Sequence, residues 1–280
     1  MIPIQMRILC RLLLLTALWL PVISAAPKGP ATLEHVVFMG ASASAGFGTN
    51  VLPSTLFEKA IVLQHRPVET FASPLFFLNP SGEGARQADR AIASKPSMAV
   101  GTDYLFWYVY GAVSDEPRTG ETRREESPAA VEKRMSLLER GLAQLERLDF
   151  PVAVGDIPDM EGADPQMLAP RQIPGPKTLE VANRRIRDWA KSRPDVLVLP
   201  LADWVSEMRA GKTQFTIPGG RTLQYPAERW LQADKLHPSK LGTVLLCARV
   251  SEALQSWAGV SSSELRFDVE QALKDIGFTD

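Results

Sequence analysis

The sequence predicts an α/β fold with a mostly parallel sheet and helices on both of its faces. Short apolar runs rich in β-branched and aromatic residues alternate with longer amphipathic stretches along the chain. That rhythm is the signature of repeated strand–helix–strand units. The opening run, Val36 to Met39, then breaks at Gly40 into a tract of small residues, Gly40-Ala41-Ser42-Ala43-Ser44-Ala45-Gly46-Phe47-Gly48. A bounded run of this kind reads as a buried strand, and the small-residue tract as a tight turn at its C-terminal end. Open α/β sheets bind ligands at that end, so Ser42 is presented where a cleft is expected.

Composition bounds what the chain does. It has 280 residues, 45% hydrophobic and 22% charged, with a formal net charge of -1. That balance gives no electrostatic footprint for nucleic acid or an anionic membrane. Residues 1–26 read as a secretory signal: Arg7 and Arg11, an apolar core from Leu12 to Ile23, then Ser24-Ala25-Ala26. The other reading of this stretch is an uncleaved anchor, although the apolar run is short for a bilayer span. The expectation is therefore export, to a periplasm or the medium, with residues 27–280 as one domain. Cys10 falls in the leader, which leaves Cys247 as a lone thiol in an apolar run, read as a small buried hydrophobe.

The elements follow in order. Thr55-Leu56-Phe57-Glu58 has capping-box spacing and predicts a helix to about His65, stopped by Pro67. Phe71 to Leu78 reads as a strand, Asn79 to Gly84 as a turn, and Ala85 to Ala93 as a helix. Asp103 to Tyr110 is aromatic on both faces and reads as a central strand ending at Gly111. Asp115 to Ser127, polar and without large apolar residues, reads as a solvated surface loop, with a lid over the site as the alternative. Ser127 caps a helix that has Pro128 at its first position. Phe150 to Val154 and Val196 to Leu199 read as strands; Thr178 to Ser192, Ala202 to Arg209, Lys240 to Trp257 and Ser263 to Ile276 as helices. Phe215 to Ile217 and Arg221 to Tyr225 flank Pro218-Gly219-Gly220 as a hairpin.

A serine hydroxyl needs a base before it becomes a nucleophile, and histidine is the usual one. Of three histidines, His35 lies at the wrong end of the first strand, and His65 closes a helix. His237 stands in Asp234-Lys235-Leu236-His237-Pro238, with an acid three residues before it that can fix its tautomer. Ser42, Asp234 and His237 form a candidate triad. Asp156 and Asp159, three apart in a loop, offer two carboxylates for a metal or a sugar hydroxyl, or simply face solvent. The aromatic set Phe106 to Tyr110 lines a pocket or fills the core. The glycine spacing after Val36–Met39 lacks Gly-x-Gly-x-x-Gly, which argues against dinucleotide binding.

The Gly40–Gly46 block and the Asp-x-x-His-Pro block at Asp234–Pro238 are similar to the first and last blocks of the SGNH (GDSL-like) hydrolases. The resemblance covers most of residues 35–257. It implies a three-layer α/β/α, flavodoxin-like fold and a serine esterase that hydrolyses an acyl or acetyl ester through an acyl-enzyme. Ser42 takes the nucleophile's place, His237 the base's and Asp234 the orienting acid's. The backbone N–H groups of Ser42 and Gly82 fall at oxyanion-hole positions. The implied partner is a small-molecule or polysaccharide ester. No cofactor, metal or nucleic acid is called for, nor stable membrane insertion after signal cleavage.

Two positions depart from the family's pattern. Ala41 replaces an aspartate. A third block placed at Gly111-Ala112-Val113-Ser114-Asp115 has Val113 where an asparagine donates, with Ser114 as a possible substitute. These departures motivate the alternative, a catalytically degenerate relative that binds a glycan or a protein.

Overall fold

The computed structural model describes residues 29–111, 126–216 and 222–278. The leader, the third block at Val113 and Ser114, nearly all of the 115–127 loop and the Pro218-Gly219-Gly220 turn lie outside the described residues. The chain order is β1 (Val36–Phe38), α1 (Pro53–Glu58), β2 (Glu69–Thr70), α2 (Pro80–Ser94), β3 (Met98–Gly101) and α3 (Phe106–Tyr110). It continues with α4 (Pro128–Leu145), β4 (Val152–Gly155), α5 (Pro176–Lys191), β5 (Val196–Leu199), α6 (Leu201–Arg209) and the hairpin strands β6 (Gln214–Thr216) and β7 (Thr222–Gln224). Three helices complete it: α7 (Ala227–Trp230), α8 (Lys240–Ala258) and α9 (Val269–Asp275).

The main sheet has strand order β2-β1-β3-β4-β5, and every pairing in it is parallel. This is the flavodoxin-like doubly wound order, whose topological switch point lies between β1 and β3. Helices α2, α4 and α5 pack together over one face, while α1 and α8 pack against each other over the other. The fold is thus a three-layer α/β/α sandwich. All residues of β1, β3 and β4 are buried. Such strands carry no polar alternation, because helices cover both faces.

Three expected elements are corrected. Asp103–Tyr110 is no strand. It forms a turn followed by helix α3, with Tyr104, Tyr108, Phe106 and Tyr110 all buried. Phe106 stacks on Tyr110 at a centroid distance of 4.1 Å, and Tyr104 lies beside Tyr108 at 5.8 Å. Those are i,i+4 pairs, and a helix brings such pairs together. A fully apolar run buried on all sides has no period that separates strand from helix. The central strand is instead β3, four residues ended by Gly101. Likewise Phe71–Leu78 is not a strand: β2 precedes it, and Phe76–Leu78 is a short 3-10 turn. Helix α2 starts at Pro80, inside the expected Asn79–Gly84 turn, because the Asn79 side chain caps it and Pro80 occupies the first position.

Candidate active site

The site lies beyond the C-terminal ends of β1 and β3, at the switch point. The chain leaves β1 through Gly40, whose φ of 139° suits glycine and few other residues. A Cβ there would also collide with Asp103 Oδ1. Gln87, buried on α2, holds this peptide from both sides: Gly40 N–H donates to Gln87 Oε1 at 2.7 Å, and Gln87 Nε2 donates to Gly40 O at 2.9 Å.

Asp103, in the turn after β3, gathers the nucleophile turn. Its carboxylate accepts from Ala41 N–H at 2.9 Å, Ala43 N–H at 2.8 Å, Ser44 N–H at 3.3 Å and Ser44 Oγ at 2.5 Å. One buried carboxylate therefore satisfies four donors that would otherwise be orphaned. Ser42 is skipped by this clamp. Its own N–H has no hydrogen-bond partner among the described residues.

The opposing loop carries the base. Asp234 Oδ1 accepts from the N–H groups of Leu236 at 2.9 Å and His237 at 3.0 Å, an Asx-type turn that carries Lys235 at φ 53°. Asp234 Oδ2 lies 2.7 Å from His237 Nδ1. This contact makes Nδ1 the protonated nitrogen of the neutral ring and leaves Nε2 as an acceptor. His237 Nε2 stands 2.9 Å from Ser42 Oγ. Partial burial pushes the Asp234 carboxyl up, but the His237 and Leu236 N–H groups and the His237 ring pull it down further, so it lies below its ordinary value. His237 is buried, and Phe47 tilts over its ring with centroids 4.6 Å apart. Gln232 ties the two loops together: its Nε2 donates to Phe47 O at 2.7 Å and to Pro238 O at 2.9 Å.

The structure thus brings Ser42, Asp234 and His237 into one hydrogen-bonded row. It does not bring Gly82 to them. Gly82 sits exposed in the first turn of α2, where its N–H donates to the capping Asn79 Oδ1 at 3.0 Å. An amide used in its own helix cap offers nothing to an oxyanion, so this expected donor is corrected. Thr102, which follows Gly101 at the end of β3, lines the cavity beside Ser42. Neither its N–H nor its hydroxyl has a hydrogen-bond partner among the described residues.

Asp103, Thr102, Gln87 and Gln232 are not singled out by the sequence. The signal for the first two is present in Met98-Ala99-Val100-Gly101-Thr102-Asp103, a short apolar run closed by glycine. It is masked by the louder aromatic run that follows. The remaining candidates fall elsewhere. Asp156 accepts from Ala202 N–H at 2.7 Å and so caps α6, and Asp159 accepts from Glu161 N–H at 2.9 Å. No cluster of three or more metal-ligating side chains occurs among the described residues. Burial pushes the Cys247 thiol up to about 12, so it is no nucleophile at neutral pH.

A scan of protein-family models and a search of curated proteins each find no match. Solved structures do match. The crystal structure of TesA has a TM-score of 0.50 at 16% identity, covering 80% of this chain and 99% of that one. The psychrotrophic esterase EstA from Pseudoalteromonas sp. gives a TM-score of 0.48 at 14% identity, over 81% of this chain and 99% of its own. The acetylxylan esterase Axe2 from Geobacillus stearothermophilus gives 0.45 at 16% identity, over 82% and 95%. The likeness to TesA is one of fold: the chain carries the same three-layer α/β/α arrangement around a parallel sheet.

Proposed function

We propose that this protein is an exported serine esterase that hydrolyses a carboxylic ester through an acyl-enzyme. The observation that carries the reading is the row Ser42 Oγ, His237 Nε2 at 2.9 Å, and His237 Nδ1 to Asp234 Oδ2 at 2.7 Å, at the mouth of a cavity. In this reading Ser42 Oγ attacks the ester carbonyl carbon while His237 Nε2 takes the hydroxyl proton. Asp234, held ionised, stabilises the imidazolium that results. The tetrahedral oxyanion is received by the Ser42 N–H, with the Thr102 N–H and hydroxyl as further donors in place of Gly82. Collapse expels the alcohol, which leaves with the proton from His237. Water then attacks the acyl-enzyme with His237 as base, releasing the carboxylate and restoring Ser42.

Ala41, the family's missing aspartate, loses its force as an argument against catalysis, because Asp103 organises the same turn. Residues 1–26 serve as a cleaved export signal in this proposal, and residues 27–280 as one domain. No helix among the described residues is long and apolar enough to cross a membrane. The reading is tested with the purified protein, a fluorophosphonate probe and p-nitrophenyl butyrate. Labelling of Ser42 with matching loss of ester turnover is expected. A protein that neither labels nor turns over ester between pH 6 and 9 is instead the degenerate glycan- or protein-binding relative.

A further inference from the structure

Ser42 opens on a cavity of about 60 Å³. Its walls include Phe106, Trp107, Met160, Met208, Leu236 and Leu246, drawn from α3, α6, α8 and the loops that follow β4 and α7. Besides Ser42 and Thr102, its only charged, amide or hydroxyl side chains among the described residues are Asp103 and His237. Both of those are spoken for. The Asp103 oxygens hold the Ala41, Ala43 and Ser44 donors, and the His237 nitrogens face Asp234 and Ser42. Trp107 adds one indole N–H donor to the walls; otherwise the polar side chains among the described lining residues gather at the end where a carbonyl would react. A sugar ring placed in the rest of the cavity would leave most of its hydroxyls unpaired, which hydrophobic walls reject. Methylene groups lose nothing there and leave water.

A second, smaller cavity of about 20 Å³ adjoins the first, walled by Phe38, Phe57, Cys247 and Val250. The two share Ala43, Thr102, Pro238 and Leu246. Of these four, only Leu246 has a long apolar side chain, so it is the partition whose size can change without touching the backbone.

We propose that the site takes an unbranched aliphatic acyl chain, and that Leu246, standing between the two cavities, sets the longest chain accepted. This rests on the ester-hydrolase reading of Ser42. The test is a series of p-nitrophenyl esters from acetate to dodecanoate, run on the purified protein and on Leu246→Ala and Leu246→Phe. In the parent, kcat/KM should rise about fourfold for each added methylene, the value of one buried CH2, and then fall. Leu246→Ala should move that fall to chains longer by at least two carbons, and Leu246→Phe should move it to shorter ones. Fluorophosphonate labelling of Ser42 checks that each variant keeps a folded site. Labelled variants that rank the esters as the parent does overturn the proposal. So does a parent whose rate drops at the first methylene beyond acetate. A parent that turns over no ester and does not label rejects the hydrolase reading itself, which is a different result.

Discussion

Two histidines are buried in this fold, and each has a carboxylate oxygen 2.7 Å from a ring nitrogen. His237 meets Asp234 beyond the C-terminal edge of the sheet, and His35 meets Glu69 at its N-terminal edge. As isolated pairs they are nearly equivalent. Their second ring nitrogens differ: that of His237 reaches the Ser42 hydroxyl, and that of His35 faces the Lys95 carbonyl at 3.4 Å. Their carboxylates differ too, since the Glu69 side chain is 41% exposed and that of Asp234 14%. A histidine–carboxylate pair is therefore no site by itself. It becomes one where the strand ends converge, because only there do a free amide, a hydroxyl and a cavity meet the imidazole.

The sharpest way to break this comparison is to remove each histidine in turn. His237→Ala should lower kcat on p-nitrophenyl butyrate by about 10⁶-fold, the scale on which a base and nucleophile act as a unit. Comparable turnover by His237→Ala and the parent would end the triad assignment.

The acids extend the contrast. Asp234→Asn should cost about 10⁴-fold in kcat, because the ring loses the partner that fixes its tautomer and stabilises its charged form. Glu69→Gln should leave kcat within about twofold, since its histidine contacts no reacting atom. The pH dependence follows from the depressed Asp234 carboxyl. A group whose folded pKa lies below its unfolded value stabilises the fold above the unfolded value, and that stability is lost as pH falls through the folded one. Asp234 thus stays ionised to lower pH than an ordinary aspartate. Asp234→Asn should flatten the acid side of a thermal-stability curve against pH, and an unchanged curve would contradict the depressed value.

The asymmetry between the two pairs explains what the sequence shows and hides. Asp234 and His237 are three residues apart on one loop, so the pair is legible together, and Ser42 stands out in its small-residue tract. The parts that hold them are not local. Gln87 reaches back 47 residues to Gly40, Asp103 reaches 59 residues to Ser44, and Gln232 reaches 185 residues to Phe47. No spacing rule connects positions that only the strand order brings together. The fold is legible where a segment is long and periodic, as in α4, α5 and α8, or short and bounded, as in β1 and β5. It misleads where burial is total. The aromatic run at 103–110 carries no period, and reading it as a strand passes over Gly101-Thr102-Asp103 at the end of β3. The error hides the turn that clamps Ser42.

That turn supplies the next test. Asp103→Ala leaves the Ala41, Ala43 and Ser44 donors without their acceptor in a buried turn. The expected loss is about 3 kcal/mol, or about 9 °C in Tm for a chain of this size. The kcat should fall with it, by about 10²-fold, as Ser42 loses its fixed geometry. Thermal unfolding and turnover measured on one preparation separate the two effects. A stable variant with unchanged kcat would remove Asp103 from the site.

His35→Ala is the smallest perturbation, and it sharpens the comparison most. The side chain is 3% exposed and bonded to Glu69, so its removal leaves a small void and an unpaired but half-exposed acid. A stability loss of about 1–2 kcal/mol is expected, read as a fall of several degrees in Tm, while kcat and KM stay within about twofold. The same chemistry removed at the two edges of one sheet then has opposite consequences, a stable inert protein from His237→Ala and a weakened active one from His35→Ala. If His35→Ala instead lowers kcat without lowering Tm, the N-terminal edge communicates with the site. The division between a reacting pair and a structural pair would then have to be redrawn along β1, which joins the two.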